Sequence, residues 1–148
     1  MAWTFVQLAL IIPVLEHLTG DRQDLGTFAD LQGDVGLLVT LLVASWTLAA
    51  FGEELAYRGF LQARTQDVLG HGRVGLVAAV LVSSTLFALA HTEQGPVGVG
   101  ATFADSLLFC ALVRLSASGL WASILAHGFN NTLGLTAYFL LGPVRGLW

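Results

Sequence analysis

Three sets of residues spaced four apart carry the chemistry open to this chain: Glu54 with Arg58 and Glu53 beside them, Phe87 with His91, and His127 with Asn131. A spacing of four puts both members of a pair on one face of a helix. Glu54 and Arg58 therefore suit an internal ion pair, which removes the cost of two isolated charges. Phe87 can shape a wall beside the His91 imidazole. His127 and Asn131 project together and can both donate hydrogen bonds toward one point. A carboxylate in a low-dielectric pocket can take a proton from water, and a neighbouring imidazole can orient that water or share the proton. Donors from His and Asn can stabilise the oxyanion of a tetrahedral intermediate. Together these parts describe hydrolysis of an amide by activated water, with no covalent nucleophile.

The elements that must position them lie in a membrane. The 148 residues are 55% hydrophobic and 11% charged, with a mean hydropathy of +0.76, against about 25% charged residues in a soluble domain. An ionisable side chain at mid-helix in lipid costs roughly 2.5 to 3.5 kcal/mol or more, so those retained mark a working site. The single cysteine, Cys110, lies in an apolar run and excludes a disulfide framework or a Cys-based metal site. A net charge of −4 with every basic residue an Arg excludes a nucleic-acid footprint and a Lys-rich tail for anionic lipid.

A spanning helix needs about 20 mostly apolar residues. Five stretches approach that: 2–15, 35–51, 74–90, 95–113 and 115–144. The fourth carries only Asp105, which could line a cavity, pair with an Arg or cap a break near Gly100. The fifth holds His127, Asn130 and Asn131, with Gly119 expected to open its helix and Gly142-Pro143 to close it. Residues 19–34 form the clear hydrophilic connection, and 69–73 and 92–96 form two more. The first stretch lacks the basic start and small-residue cleavage pattern of a signal peptide. The expected fold is an all-α polytopic membrane helix bundle of about five transmembrane helices, one domain over 1–148. Arg64, Arg73 and Arg114 fall on one side and Arg22 and Arg145 on the other, which points the N-terminus and the 70–73 turn to the cytoplasm.

The 70–72 turn brings distant motifs together. Glu53 and Glu54 lie 18 and 17 residues before His71, and His91 lies 20 after it. An antiparallel helical hairpin would level the carboxylates with the imidazole to within about 5 Å. This requires the second helix to continue past Gly52 through its charged residues, which must then face a bundle interior, a cavity or water beyond the bilayer.

The segment Glu53-Glu-Leu-Ala-Tyr-Arg58 matches an EExxxR motif, Phe87-Ala-Leu-Ala-His91 an FxxxH motif, and His127-Gly-Phe-Asn-Asn131 an HxxxN motif. In that order on apolar helices they resemble the CPBP family. It comprises CAAX prenyl endopeptidases of the Ras-converting type, bacteriocin-processing or self-immunity proteins and lysostaphin-resistance-protein-A-like proteins. The resemblance covers 35–141 and implies an intramembrane endopeptidase. By analogy Glu53 activates the water, His91 helps to hold it, His127 and Asn131 form the oxyanion site, and Glu54 and Arg58 position Glu53. A metal-free mechanism is favoured over a zinc enzyme, whose ligands would be Glu53, His91 and His127; the HExxH pattern is absent. The implied partners are the lipid bilayer and a membrane-associated peptide or protein substrate, prenylated in the best-known branch. The expected location is a bacterial cell membrane, crossed several times. The chain is short for this family, whose members often carry further N-terminal helices, so residues 1–18 stand for a reduced version of them or the sequence is incomplete.

Each residue also has a plainer reading. Glu54 with Arg58 suits a structural ion pair, His91 an interfacial histidine, and His127 with Asn131 interhelical hydrogen bonding. Asn130, His17, His71, Tyr57, Trp46 and Trp121 read as packing or interfacial residues. Two functions outside the protease class compete: a noncatalytic immunity or scaffold protein that keeps the fold, and a transporter relaying protons through buried Glu and His. The intact set of Glu53, His91, His127 and Asn131 favours the enzyme, and the lack of repeats or broken helix pairs disfavours the transporter.

Overall fold

The structure is a computed structural model that describes residues 2–142. Five helices make up the bundle among the described residues: α1 (Ala2–Thr19), α2 (Val35–Leu69), α3 (Arg73–Leu89), α4 (Gly95–Leu115) and α5 (Leu120–Leu141), with no strand. α1, α2 and the segment Thr92–Leu115 are each long and apolar enough to cross a membrane. Single 3-10 turns occupy Gly26–Phe28 and Thr92–Gln94. Pro143, Val144 and Arg145, expected to stop the last helix and to weigh in the orientation, lie outside the described residues.

The packing is that of a membrane bundle. Phe5, Leu10, Val14 and Leu18 of α1 and Val35, Val39 and Val43 of α2 point outward. The fully buried set includes Glu54, Ser83, Ser84, Ser106 and Ser123 beside Phe87 and Phe109. Where the surroundings are as apolar as the side chains, helices associate through small residues and internal hydrogen bonds.

The second helix does run on through its charges, as the hairpin reading requires. Asp34 caps its start, the carboxylate accepting from Leu37 N–H at 2.8 Å, which satisfies one of the free donors of the first turn. Ser45–Glu53 and Leu55–Leu61 wind as π-helix, with Gln62 N–H donating to the Tyr57 carbonyl five residues back. Such widened turns recur at functional sites. The turn into α3 is tight: Gly70 has φ +95°, and a Cβ on Gly75 would stand inside the Gly70 carbonyl.

Helix length explains where the cavity lies. Sixteen residues separate Glu53 from Leu69, and α3 has 17, so at 1.5 Å each both climb about 25 Å from the turn. The 92–94 turn therefore meets α2 near Glu53, at the middle of that helix rather than at its far end. Beyond this level the first half of α2 and the second half of α5 face each other across a cavity of about 500 Å³. α1 walls it with Thr4, Gln7, Leu8 and Ile12, and the long connection adds Gln23, Leu25 and Phe28. Ile12 packs on Val97 and Ala101 of α4. α4 passes Gly100 unbroken, so Asp105 caps no break there.

Candidate active site

Glu53 and Glu54 are consecutive on the π-helical stretch of α2, and both address one ring. His127 Nδ1 lies 3.0 Å from Glu54 Oε1, and His127 Nε2 lies 4.0 Å from Glu53 Oε2. An ionised carboxylate only accepts, so Nδ1 carries the proton and donates to Glu54. This fixes the ring and turns Nε2 toward Glu53 and the cavity. Glu53 Oε2 has no hydrogen-bond partner among the described residues, although its side chain is 31% exposed.

Glu54 is fully buried and also accepts from Arg58 Nη1 at 3.0 Å, while Arg58 Nη2 donates to Ser106 Oγ of α4 at 2.6 Å. The guanidinium lies over the Phe87 ring at 4.2 Å and near the Phe109 ring at 5.4 Å. Buried charge is tolerable only when paired and hydrogen-bonded, and this pair has both, with two aromatic faces added. Glu54 and Arg58 were expected to position Glu53. Their hydrogen bonds instead go to His127, to each other and to Ser106.

His91 stands just past the end of α3, where its Nδ1 lies 2.9 Å from the Phe87 carbonyl. That carbonyl can only accept, so here too Nδ1 donates and Nε2 is left for the cavity. Phe87 touches His91, His127 and Tyr57 at centroid distances of 4.9, 6.0 and 5.1 Å. Phe109 stacks on His127 at 4.9 Å with 17° between the planes. The imidazole of His127 is thus held by Glu54 at one nitrogen and by an aromatic face.

Glu53, His91, His127 and Asn131 all line the one cavity. The Asn131 amide has no hydrogen-bond partner among the described residues, whereas Asn130 accepts from Thr4 of α1 at 2.7 Å. Trp46 donates to Thr132 and closes on Gly128. His71 lies in a surface cluster with Asp67, and Trp121 is exposed near Phe51. Glu53, His91 and His127 do not assemble as metal ligands: among the described residues no group of three or more His, Cys, Asp or Glu side chains could hold a metal ion.

Ser106 and Phe109 went unread in the sequence as parts of this region, whereas lining a cavity was one of the readings open for Asp105. Ser106 and Phe109 are ordinary members of an apolar run, with no local signal. Asp105 was visible as an unexplained charge. It lines the cavity, and it accepts not from an Arg but from Trp3 Nε1 of α1 at 2.5 Å.

This arrangement can deprotonate a water at Glu53, keep two imidazole nitrogens turned to it, and offer amide donors from Asn131. No curated protein and no solved structure matches the chain. The family model for type II CAAX prenyl endopeptidases, Rce1-like, matches residues 35–133, a span that contains all three motifs and more than half of the chain. By that match this chain, an all-α integral membrane bundle, belongs to the Rce1-like type II CAAX prenyl endopeptidase family of intramembrane proteases.

Proposed function

We propose that the protein is an intramembrane endopeptidase that hydrolyses a peptide bond with water activated by Glu53. The observation that carries this is the position of His127 between consecutive carboxylates, at 3.0 Å from Glu54 and 4.0 Å from Glu53, in a cavity shared with His91 and Asn131. Water attacks the carbonyl carbon and gives its proton to Glu53. The carbonyl oxygen becomes an oxyanion that accepts from the Asn131 amide and, in the imidazolium form, from His127 Nε2–H. His91 Nε2 holds the water on the other side. When the intermediate collapses, the C–N bond breaks and Glu53 returns its proton to the leaving nitrogen.

Each of these steps runs through side chains alone; among the described residues no group of three or more His, Cys, Asp or Glu side chains is arranged to hold a metal ion. The substrate is a membrane-associated peptide or protein, and a prenylated CAAX tail is the one the family's description names. The setting is a multi-pass position in a bacterial cell membrane. The noncatalytic alternative leaves unexplained why two histidines and a carboxylate face one cavity unpaired by salt bridges to Arg.

The test is cleavage of a peptide substrate in liposomes by wild type, Glu53→Gln and His127→Ala. Both variants are expected to lose cleavage while inserting and melting in detergent like wild type. Full activity in both would remove the assigned site.

A further inference from the structure

Two consecutive amides of α5 line the cavity, and the hydrolysis uses only one of them. Asn130 and Asn131 lie three and four residues after His127, so all three side chains share the face of the helix that borders the cavity. Gly134 continues that face without a side chain, and nothing stands within 4 Å of the place a Cβ would take. A chain can therefore lie against α5 beside the two amides.

The orientation of Asn130 is set from another helix. Thr4 Oγ1 of α1 donates to Asn130 Oδ1 at 2.7 Å. The amide oxygen and nitrogen sit on the two arms of one planar group, so an oxygen turned to Thr4 turns the nitrogen, with its two N–H donors, away from it. Nδ2 has no hydrogen-bond partner among the described residues. Packing alone asks for no such arrangement, because a donor left without an acceptor in an apolar setting costs free energy until something bonds to it. The complement of an N–H donor in a site that cuts peptides is a peptide carbonyl. Asn130 and Asn131 have Cα atoms about 3.8 Å apart and leave the helix about 100° from each other. An extended chain advances about 3.4 Å per residue, with successive residues facing opposite sides. Two adjacent amides that reach in different directions suit two successive carbonyls of such a chain.

We infer that Asn130 is a second substrate-binding amide: its Nδ2–H donates to the main-chain carbonyl next to the scissile one, and Thr4 is the positioning residue that holds the amide for it. The inference rests on the endopeptidase reading and adds to it how the peptide is kept in register. The group recognised is a neutral peptide carbonyl, so the contact is made whatever side chains flank the cut. Thr4 lies outside residues 35–133, the span that matches the family model, so α1 contributes to the site as well as to its wall.

The experiment uses the full chain in liposomes and a prenylated peptide with a CAAX tail. The peptide is made with ordinary amides, and with a single thioamide at the peptide bond immediately before or immediately after the cut; a C=S group accepts hydrogen bonds more weakly than C=O. With wild type, kcat/KM is expected to be about three- to tenfold lower for at least one of the two thioamides, the worth of one neutral hydrogen bond. In Asn130→Ala that penalty disappears, as it does when one partner of a coupled pair is already gone. Thr4→Val keeps the shape and loses the hydroxyl; it is expected to raise KM more than it lowers kcat, the pattern of lost uniform binding, and to shrink the penalty, with Thr4→Ser restoring both. Equal cleavage of all three peptides by wild type, or the same penalty in Asn130→Ala, overturns the inference and, with Glu53→Gln inactive, leaves the endopeptidase standing. A penalty unchanged in Thr4→Val removes Thr4 from the role. Cleavage by Glu53→Gln at the wild-type rate, or none by wild type, overturns the endopeptidase reading and this inference with it. The wild-type comparison and Thr4→Val need no change at Asn130, so they decide the matter even where Asn130→Ala fails to fold.

Discussion

Glu54, not Glu53, grips His127: its Oε1 accepts from His127 Nδ1 at 3.0 Å, and the same oxygen accepts from Arg58 at 3.0 Å. The second glutamate of the EExxxR motif therefore acts on the third motif, 73 residues away in the chain. A carboxylate behind an imidazole fixes its tautomer and stabilises its charged form. Glu54→Gln keeps an acceptor for Nδ1–H yet removes the charge. In the proposed mechanism kcat then falls on the order of 10²-fold or more, by analogy with the amide replacement in Ser-His-Asp enzymes, while KM changes little. Steady-state kinetics in liposomes decide it, and a kcat near wild type would detach Glu54 from catalysis.

The Arg58 guanidinium ties α2 to α4 through Ser106. Removing it leaves Glu54 buried without its cation, a loss that costs about 3–5 kcal/mol. Arg58→Ala is expected to destabilise the fold by that much. Ser106→Ala, which leaves one N–H unpaired, should cost about 1–3 kcal/mol. Cys110 is 1% exposed, so its reaction with a thiol dye on heating reports unfolding directly. Equal melting of Arg58→Ala and wild type would show that the pair is not structural.

Much of this could be read from the chain because the relevant signals are local or countable. The three motifs show themselves by spacing, and the 70–72 turn sets the register between Glu53 and His91 by simple residue count. The helical run through Glu54 and Arg58 followed once those charges had an interior to face. What stayed hidden was partnership. Ser106 lies 48 residues from Arg58 and Trp3 lies 102 from Asp105, and neither serine nor tryptophan carries a mark of its partner. The contact between Glu54 and His127 stayed hidden for the same reason: helix periodicity places a side chain on a face, but a third helix determines what meets it.

Glu53, His91 and His127 share the cavity without forming a metal-binding group. His91 Nδ1 is taken by the Phe87 carbonyl and His127 Nδ1 by Glu54. Chelation with a strong divalent-metal ligand is expected to leave kcat/KM unchanged, and elemental analysis of the purified protein to find far less than one zinc per chain. Loss of activity on chelation with recovery on returning zinc would show that the three side chains regroup around a metal.

Gly128 follows His127 and faces Trp46 so closely that an added Cβ would lie 2.5 Å from the indole. Trp46 also donates to Thr132 at 3.0 Å and stands edge-on to Phe129, so the indole has little freedom to yield. Gly128→Ala is expected to push α5 away from α2, costing about 1–3 kcal/mol as overpacking does, and to move His127 off the two glutamates. Activity should fall by more than the stability loss alone explains, since catalysis depends on sub-ångström placement of the imidazole. Trp46→Leu clears the space, so the double variant Trp46→Leu/Gly128→Ala should be more active than Gly128→Ala alone. That sign of coupling is what neighbours sharing one volume give. A strictly additive cycle, with the double variant worse than either single one, would show that the glycine is not there for the tryptophan.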